Sequence, residues 1–259
     1  MREQATTRLD SNLQWRLLAL DLDGTTLGRD HTISAANREW LLRAREAGLQ
    51  FTFATGRHRL GLVSSYIEEL AIEVPFVTVN GGEVWAAGGS LLKRTLLNPE
   101  DVDLLYGLTE EYDIRYWGAT TQGPVSFDSF PKRSELRLYD WLKFGFWGPQ
   151  TQVIQTLWQR LSELDRFELT NSDPSNIEVN PKHVTKATGL QVVCDVLQIE
   201  PREVIVMGDS LNDLSMFHWA GYPVAMGNAQ QILKDAARDV TLDCEDDGVA
   251  AFLQRLLQG

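Results

Sequence analysis

Short apolar runs alternate with amphipathic stretches through the first eighty residues. Trp15–Leu20 predicts a strand. Ser34 stands where a helix N-cap belongs, ahead of Ala36, Trp40, Ala44 and Ala47 at helical spacing, and Gly48 supplies the stop. Leu49–Ala54 predicts a second strand, Arg57–Leu70 a second helix, and Phe76–Val79 a third strand. Strands separated by helices in this rhythm imply a parallel sheet with helices on its faces.

The rhythm resumes near residue 186. Helices are predicted at Thr188–Leu197, Asp213–Ala220, Gln230–Ala237 and Gly248–Leu257, with strands at Glu203–Met207, Pro223–Ala225 and Asp239–Leu242. Between them the texture changes. Two helices, Pro99–Tyr112 (capped by Asn98) and Thr151–Leu164, lie among strand-like stretches "IRYWGA", "RFELTN" and "NIEVNP". The pattern therefore predicts an α/β core with a Rossmann-like parallel sheet, built from residues 15–81 and 181–259. Residues 82–180 form an inserted α+β domain, and residues 1–14 a polar extension.

At 259 residues the chain exceeds the usual size of a single core, which fits a domain carrying a large insertion. Its formal charge of −12 argues against a nucleic-acid or anionic-membrane surface. Two cysteines, Cys194 and Cys244, make no disulfide framework, and Cys194 sits in a helical apolar pattern as a buried structural thiol. The first fourteen residues lack the apolar segment of a signal peptide, and no apolar run approaches the ~20 residues that span a bilayer. A soluble cytoplasmic protein is expected, without nucleic-acid or membrane partners; monomer and homodimer both stay open.

The chemistry collects where strands end, the usual place for function in an open parallel sheet. Asp21-Leu22-Asp23, Thr55-Gly56-Arg57, Asn80-Gly81 and Gly208-Asp209 each close a predicted strand, and Lys186 precedes a helix. In "GDSLNDLSM", Asp213 follows Asp209 by four residues, on one face of a helix. Helix capping is one reading of that pair, and two carboxylates whose repulsion a cation or a shared proton relieves is the other. With Asp21 and Asp23 added, the acids form a cluster suited to a hard divalent cation such as Mg²⁺.

The complete set, D-L-D-G-T, a strand-end Thr, a Lys and G-D-S-x-N-D, resembles the haloacid dehalogenase superfamily of phosphohydrolases, in its Cof-like branch with a large cap domain. "TFATGR", "VTVNGGEV", "AGYPVAMGNA" and the terminal "EDDGVAAFL" extend the resemblance from Trp15 to Leu257. It implies a phosphatase for a small phosphorylated metabolite. Asp21 would be the nucleophile, giving an aspartyl-phosphate, and Asp23 the general acid and base. Mg²⁺ would be held by Asp21, the Asp23 main-chain carbonyl and Asp209, with Asp213 assisting. Thr55, Gly56 and Lys186 would bind the phosphoryl group, and Asn212 would orient it or Lys186. A phosphomutase sharing the aspartyl-phosphate, or a catalytically silent binding protein on the same fold, stays open beside this reading.

Thr26 and Ala187 depart from the residues common in the family, without removing a reacting group. Arg57 either reaches substrate or starts its helix. Asn80 is expected to hold its loop, and His58, His183 and His218 to pack or face solvent. The stretch "FPKRSELRLYDWLKFGFWGP" (130–149) sets aromatics beside Lys132, Arg133, Arg137 and Lys143. It either packs the cap's own core or reads the leaving group, with Arg133 and Trp147 as its probes.

Overall fold

Strand β1 (Leu17–Leu20) has no solvent exposure along its length, as a strand sandwiched between parallel neighbours must. The computed structural model describes residues 15–258, so the expected extension 1–14 lies outside the described residues. After β1 the chain forms α1 (Ala35–Glu46), whose Ser34 hydroxyl accepts a hydrogen bond from the Asn37 amide at 3.0 Å, as its cap position predicts. Gly48, at φ +95°, ends the turn and leads into β2 (Gln50–Phe53).

The expected helix from Arg57 is shorter than its pattern. Leu60 adopts φ −67°, ψ 130° and Gly61 φ +105°, ψ −138°, so regular α2 begins only at Ser64 (Ser64–Glu69). Only glycine reaches that second conformation without strain. The apolar spacing of 57–70 survives this break, and the backbone does not.

Next come β3 (Phe76–Thr78), β4 (Glu83–Trp85) and β5 (Leu91–Arg94), an antiparallel three-stranded sheet in that order. The expected domain boundary at residue 82 falls within this sheet. Val84 joins the hydrophobic cluster of the parallel sheet, whereas the second cluster takes its first residue at Leu97.

That second cluster lies in a unit made of α3 (Pro99–Tyr112), β6 (Arg115–Thr120), β7 (Gly123–Val125), β8 (Trp141–Trp147), α4 (Thr151–Glu163), β9 (Phe167–Thr170) and β10 (Asn176–Pro181), of which all but β7 contribute side chains to it. The strands form one antiparallel sheet in the order β7-β6-β8-β10-β9. Asn98 occupies the cap position of α3, but its side chain bonds Asp101 rather than the helix backbone. The central strand β8 falls inside the aromatic stretch and was not among the predicted elements. Trp141, Phe144 and Phe146 are buried in the cluster.

The chain then returns to the core through α5 (Lys186–Leu197), β11 (Val204–Gly208), α6 (Leu214–Trp219), β12 (Tyr222–Ala225), α7 (Gln231–Ala236), β13 (Asp239–Val240) and α8 (Gly248–Gln258). The parallel sheet runs β13-β12-β11-β1-β2, with Leu17 level with both Val204 and Gln50. Helix α1 packs on α8, while α5, α6 and α7 form a second packed group. The result is the expected α/β core carrying an α+β cap. Among the described residues, no helix is long and apolar enough to cross a membrane.

Candidate active site

Strand β1 stays in register one residue beyond its end, where the Asp21 amide donates to the Met207 carbonyl at 3.0 Å. This fixes Asp21 between the ends of β2 and β11. Thr26, the family departure, is fully buried and donates from its hydroxyl to the Asp21 carbonyl at 2.6 Å. Across from them Thr185 caps α5 through its hydroxyl, which places Lys186 at the helix start with no solvent exposure.

Lys186 Nζ donates to Asp21 Oδ1 at 2.5 Å and to Asp213 Oδ1 at 2.6 Å. The other Asp213 oxygen accepts from the Asp209 and Ser210 amides, at 2.9 and 3.2 Å. Asp213 does not share a helical face with Asp209, as its spacing suggested. It closes a 3₁₀ turn (Leu211–Asp213) before α6, and its carboxylate folds back to hold the preceding loop.

Carboxylate oxygens of Asp21, Asp209 and Asp213 lie within 4.8 Å of one another. One lysine faces three acids. Burial raises the pKa of Asp21, against the pull of Lys186 and with a further push from Asp213 and Asp23. Asp209 is raised by burial and then by Asp21. On Lys186 burial works against the charge, but Asp21 and Asp213 outweigh it and its pKa rises.

The donor set fits a divalent cation. Asp209 Oδ1 is buried without a hydrogen-bond partner among the described residues, and an all-oxygen acidic cluster is the chemistry Mg²⁺ prefers. Gly24, at φ +72°, approaches so closely that a Cβ there would sit 2.4 Å from Asp209 Oδ2. Any side chain at 24 would crowd the acids.

The Asp23 carboxylate lies outside this set and is 43% exposed. It pairs with Arg57, Nε to Oδ2 at 2.6 Å and Nη2 to Oδ1 at 2.5 Å, and His31 Nδ1 stands 3.7 Å away. Arg57 therefore neither starts a helix nor floats free. Thr55 is buried, and its Oγ1 accepts from the Arg57 amide at 3.1 Å, which leaves its own O–H available to donate. Asn212 bonds Ser210 through Oδ1 at 3.0 Å rather than Lys186.

A cleft of about 410 Å³ opens over Asp21, Asp23, Gly56 and Asn212, with the cap as its roof. Leu60, Leu62, Trp117 and Pro124 give it apolar walls, and Lys143, Ser172 and Glu178 a polar one. His58, expected to pack or face solvent, lines it too and accepts from the Leu60 amide at 3.0 Å.

Within the aromatic stretch the roles are redistributed. Arg133 pairs with Asp103 and Glu110 on the cap surface, and Trp147 is 41% exposed outside the cleft. Lys143 is the residue of that stretch that reaches the site, with Glu178 of β10 beside it at 3.4 Å. A lysine between the buried apolar neighbours Leu142 and Phe144 was the available signal, since burying an unpaired ammonium is costly. Its partners lie on other strands and loops, where no local pattern points.

The haloacid dehalogenase-like hydrolase family model matches residues 18–139 and 139–253. The chain belongs to this family. A 5-amino-6-(5-phospho-D-ribitylamino)uracil phosphatase of Bacillus subtilis is 35% identical over 239 residues, covering 92% of this chain and 94% of that one. A second Bacillus subtilis phosphatase with the same named substrate is 29% identical, covering 94% and 99%. A haloacid dehalogenase-like hydrolase of Bacillus subtilis has the same fold, with a TM-score of 0.83 at 24% identity over 93% of this chain and 99% of the other. This haloacid dehalogenase-like hydrolase is accordingly a phosphoric monoester hydrolase.

Proposed function

We propose that this hydrolase is a Mg²⁺-dependent phosphatase that cleaves a small phosphorylated metabolite through an aspartyl-phosphate on Asp21. The observation that carries the reading is the buried Asp21–Lys186–Asp213 chain, whose Asp21 end lines a cleft roofed by the cap. A carboxylate there faces the cleft already oriented, beside a cation suited to a phosphoryl oxygen.

In the first step an Asp21 oxygen attacks phosphorus, the ester P–O bond breaks, and the leaving oxygen takes a proton from Asp23. In the second, Asp23 removes a proton from water, whose oxygen attacks the phosphoryl group and frees Asp21 and inorganic phosphate. Lys186 and the Thr55 hydroxyl hold the phosphoryl oxygens, with Gly56 leaving room and Asn212 at the edge. Asp21, the Asp23 carbonyl, Asp209 and Asp213 would hold Mg²⁺, which when bound offsets the repulsion between carboxylate and phosphate.

The two Bacillus subtilis relatives name one substrate, 5-amino-6-(5-phospho-D-ribitylamino)uracil. The cleft suits that chemistry: Leu60, Leu62 and Trp117 for a flat ring, and Ser172 for a hydroxyl. We assign this ester as the first substrate to test and the cytoplasm as the site of action, in keeping with two free, buried cysteines.

The test is release of inorganic phosphate from that ester with Mg²⁺ present. Wild-type protein should release it, EDTA should stop it, and Asp21→Asn should show no turnover. Phosphate release by Asp21→Asn near the wild-type rate would overturn the covalent mechanism. An isomerised phosphate ester in place of free phosphate would mark a phosphomutase.

A further inference from the structure

The peptide joining Gly56 to Arg57 is gripped at both ends. Its N–H donates to Thr55 Oγ1 at 3.1 Å, and its carbonyl accepts from Lys143 Nζ at 2.8 Å, across 87 positions of sequence. The first contact lies within the core. The second comes down from the cap.

Lys143 is only 2% exposed, in a strand whose other buried positions are Trp141, Leu142, Phe144, Gly145 and Phe146. An apolar residue would fill that place without burying a charge. Burial pulls the Lys143 ammonium toward its neutral form, and Glu178 works against that. Trp117 adds its ring face at 4.8 Å. The cap thus invests several side chains in keeping one ammonium above Gly56.

Glu178 also spans the junction. Its Oε2 accepts from Asn80 Nδ2 at 2.5 Å, while the Asn80 amide donates to the Thr55 carbonyl at 3.0 Å. The Thr55-Gly56 loop is therefore held by Asn80 on one side and Lys143 on the other, both tied to Glu178. A Cβ at Gly56 would stand 2.9 Å from Asn80 Oδ1 and 3.5 Å from Lys143 Nζ, so a side chain there would push on the Asn80 side chain. With no side chain to anchor it, the Gly56 peptide turns easily once Lys143 lets go.

Two reacting groups depend on that peptide. Thr55 Oγ1 is fixed as an acceptor by the Arg57 amide, which aims its hydroxyl proton elsewhere. Arg57, one residue on, carries the forked grip on Asp23.

We propose that Lys143 is a positioning residue: with the cap seated, its hydrogen bond to the Gly56 carbonyl fixes the Gly56–Arg57 peptide, and through it both the Thr55 hydroxyl and the Arg57–Asp23 pair. The proposal rests on the phosphatase reading for its kinetic arm alone. Cap closure and proton delivery are then linked by one lysine, so the acid is aimed only under a seated cap.

The test uses the full chain with Lys143→Met and Glu178→Gln combined, which strands no buried charge, and with Glu178→Gln alone as the control that keeps Lys143. Measured kcat/KM for an alkyl phosphate (ribitol 5-phosphate) should fall at least ~10-fold further than for p-nitrophenyl phosphate in the double variant. Only the alkyl oxygen depends on a well-aimed proton. In a crystal structure of the double variant, the Gly56 carbonyl should turn away and Arg57 should lose its bidentate hold on Asp23. Equal losses on both esters, as a general destabilisation gives, would overturn the proposal, and so would an unmoved Gly56–Arg57–Asp23 arrangement. Should the double variant not fold, Lys143→Arg is carried through the same comparisons with the same expected direction. If wild-type protein hydrolyses neither ester, the phosphatase reading fails, and the crystal comparison alone decides the role of Lys143.

Discussion

Arg57 holds Asp23 through two parallel hydrogen bonds, of 2.6 and 2.5 Å, although 34 positions separate them in the chain. A planar fork matches a carboxylate in a way that a single ammonium does not. The pair sets the direction of the Asp23 side chain at the mouth of the cleft.

Arg57→Lys should therefore lower kcat for alkyl phosphates by on the order of 10- to 100-fold, part of the full reach of acid–base catalysis. KM should hardly change. Steady-state kinetics decide the point: a raised KM at unchanged kcat would mean that Arg57 binds substrate instead.

Lys186→Met should do more than stop turnover. It leaves Asp21 and Asp213 buried and facing each other without their shared cation. Urea unfolding at neutral pH should show a loss of about 3–5 kcal/mol, the usual result of removing one partner from a buried ion pair. An unchanged midpoint would show that the acids do not need the lysine.

The acid cluster predicts an unusual pH dependence. Asp21 and Asp209 are raised in the folded state, chiefly by burial. Above about pH 4, where unfolded aspartates ionise, the folded protein binds protons that the unfolded chain has released. Stability of the metal-free protein should thus fall as pH climbs from 5 to 8, the reverse of an aspartate stabilised by a salt bridge. Mg²⁺ should restore most of the loss, so its effect on Tm should be larger at pH 8 than at pH 5. Equal Mg²⁺ shifts at both pH values would place the cation elsewhere.

Arg133 and Trp117 separate the cap surface from the cleft wall. Arg133→Ala removes ion pairs that are about half exposed on both sides, so stability should change by ~0–1 kcal/mol and kcat/KM not at all. Trp117→Ala should raise KM several-fold, up to about 10-fold, for a ring-bearing ester and little for a small alkyl one. Matching effects on both esters would remove Trp117 from leaving-group recognition.

Much of the geometry was legible because the strand ends and the candidate site residues coincide in sequence. The runs before Asp21, Thr55 and Asp209 are short and apolar, and a parallel sheet brings their ends together without further information. The helix expected from Arg57 failed at Leu60 and Gly61, whose backbone no hydrophobic period records. Strand β8 was hidden because a strand buried from Trp141 to Phe146 lacks the alternation that betrays a half-exposed one. Glu178 was missed as a site residue, and Lys143 was singled out only as one of four basic residues in the 130–149 stretch, for a different reason. Their meaning lies in contacts to Gly56 and Asn80, 87 and 98 positions away, which only the docking of cap on core creates.

The placement of β1 between β2 and β11 has a consequence for synthesis. By the time Pro181 has left the ribosome, all five strands of the cap sheet exist and can pair with one another. The strand carrying Asp21 is then bordered on one side only, because its other neighbour begins at Val204. A nascent chain would finish the domain in the middle before the one that surrounds it, with the apolar edge of β1 open in the interval. Chain closure by the segment after Pro181 covers that edge and, in the same event, brings Lys186 to the aspartates. A fragment that stops short of β11 should accordingly be both inert and prone to aggregate.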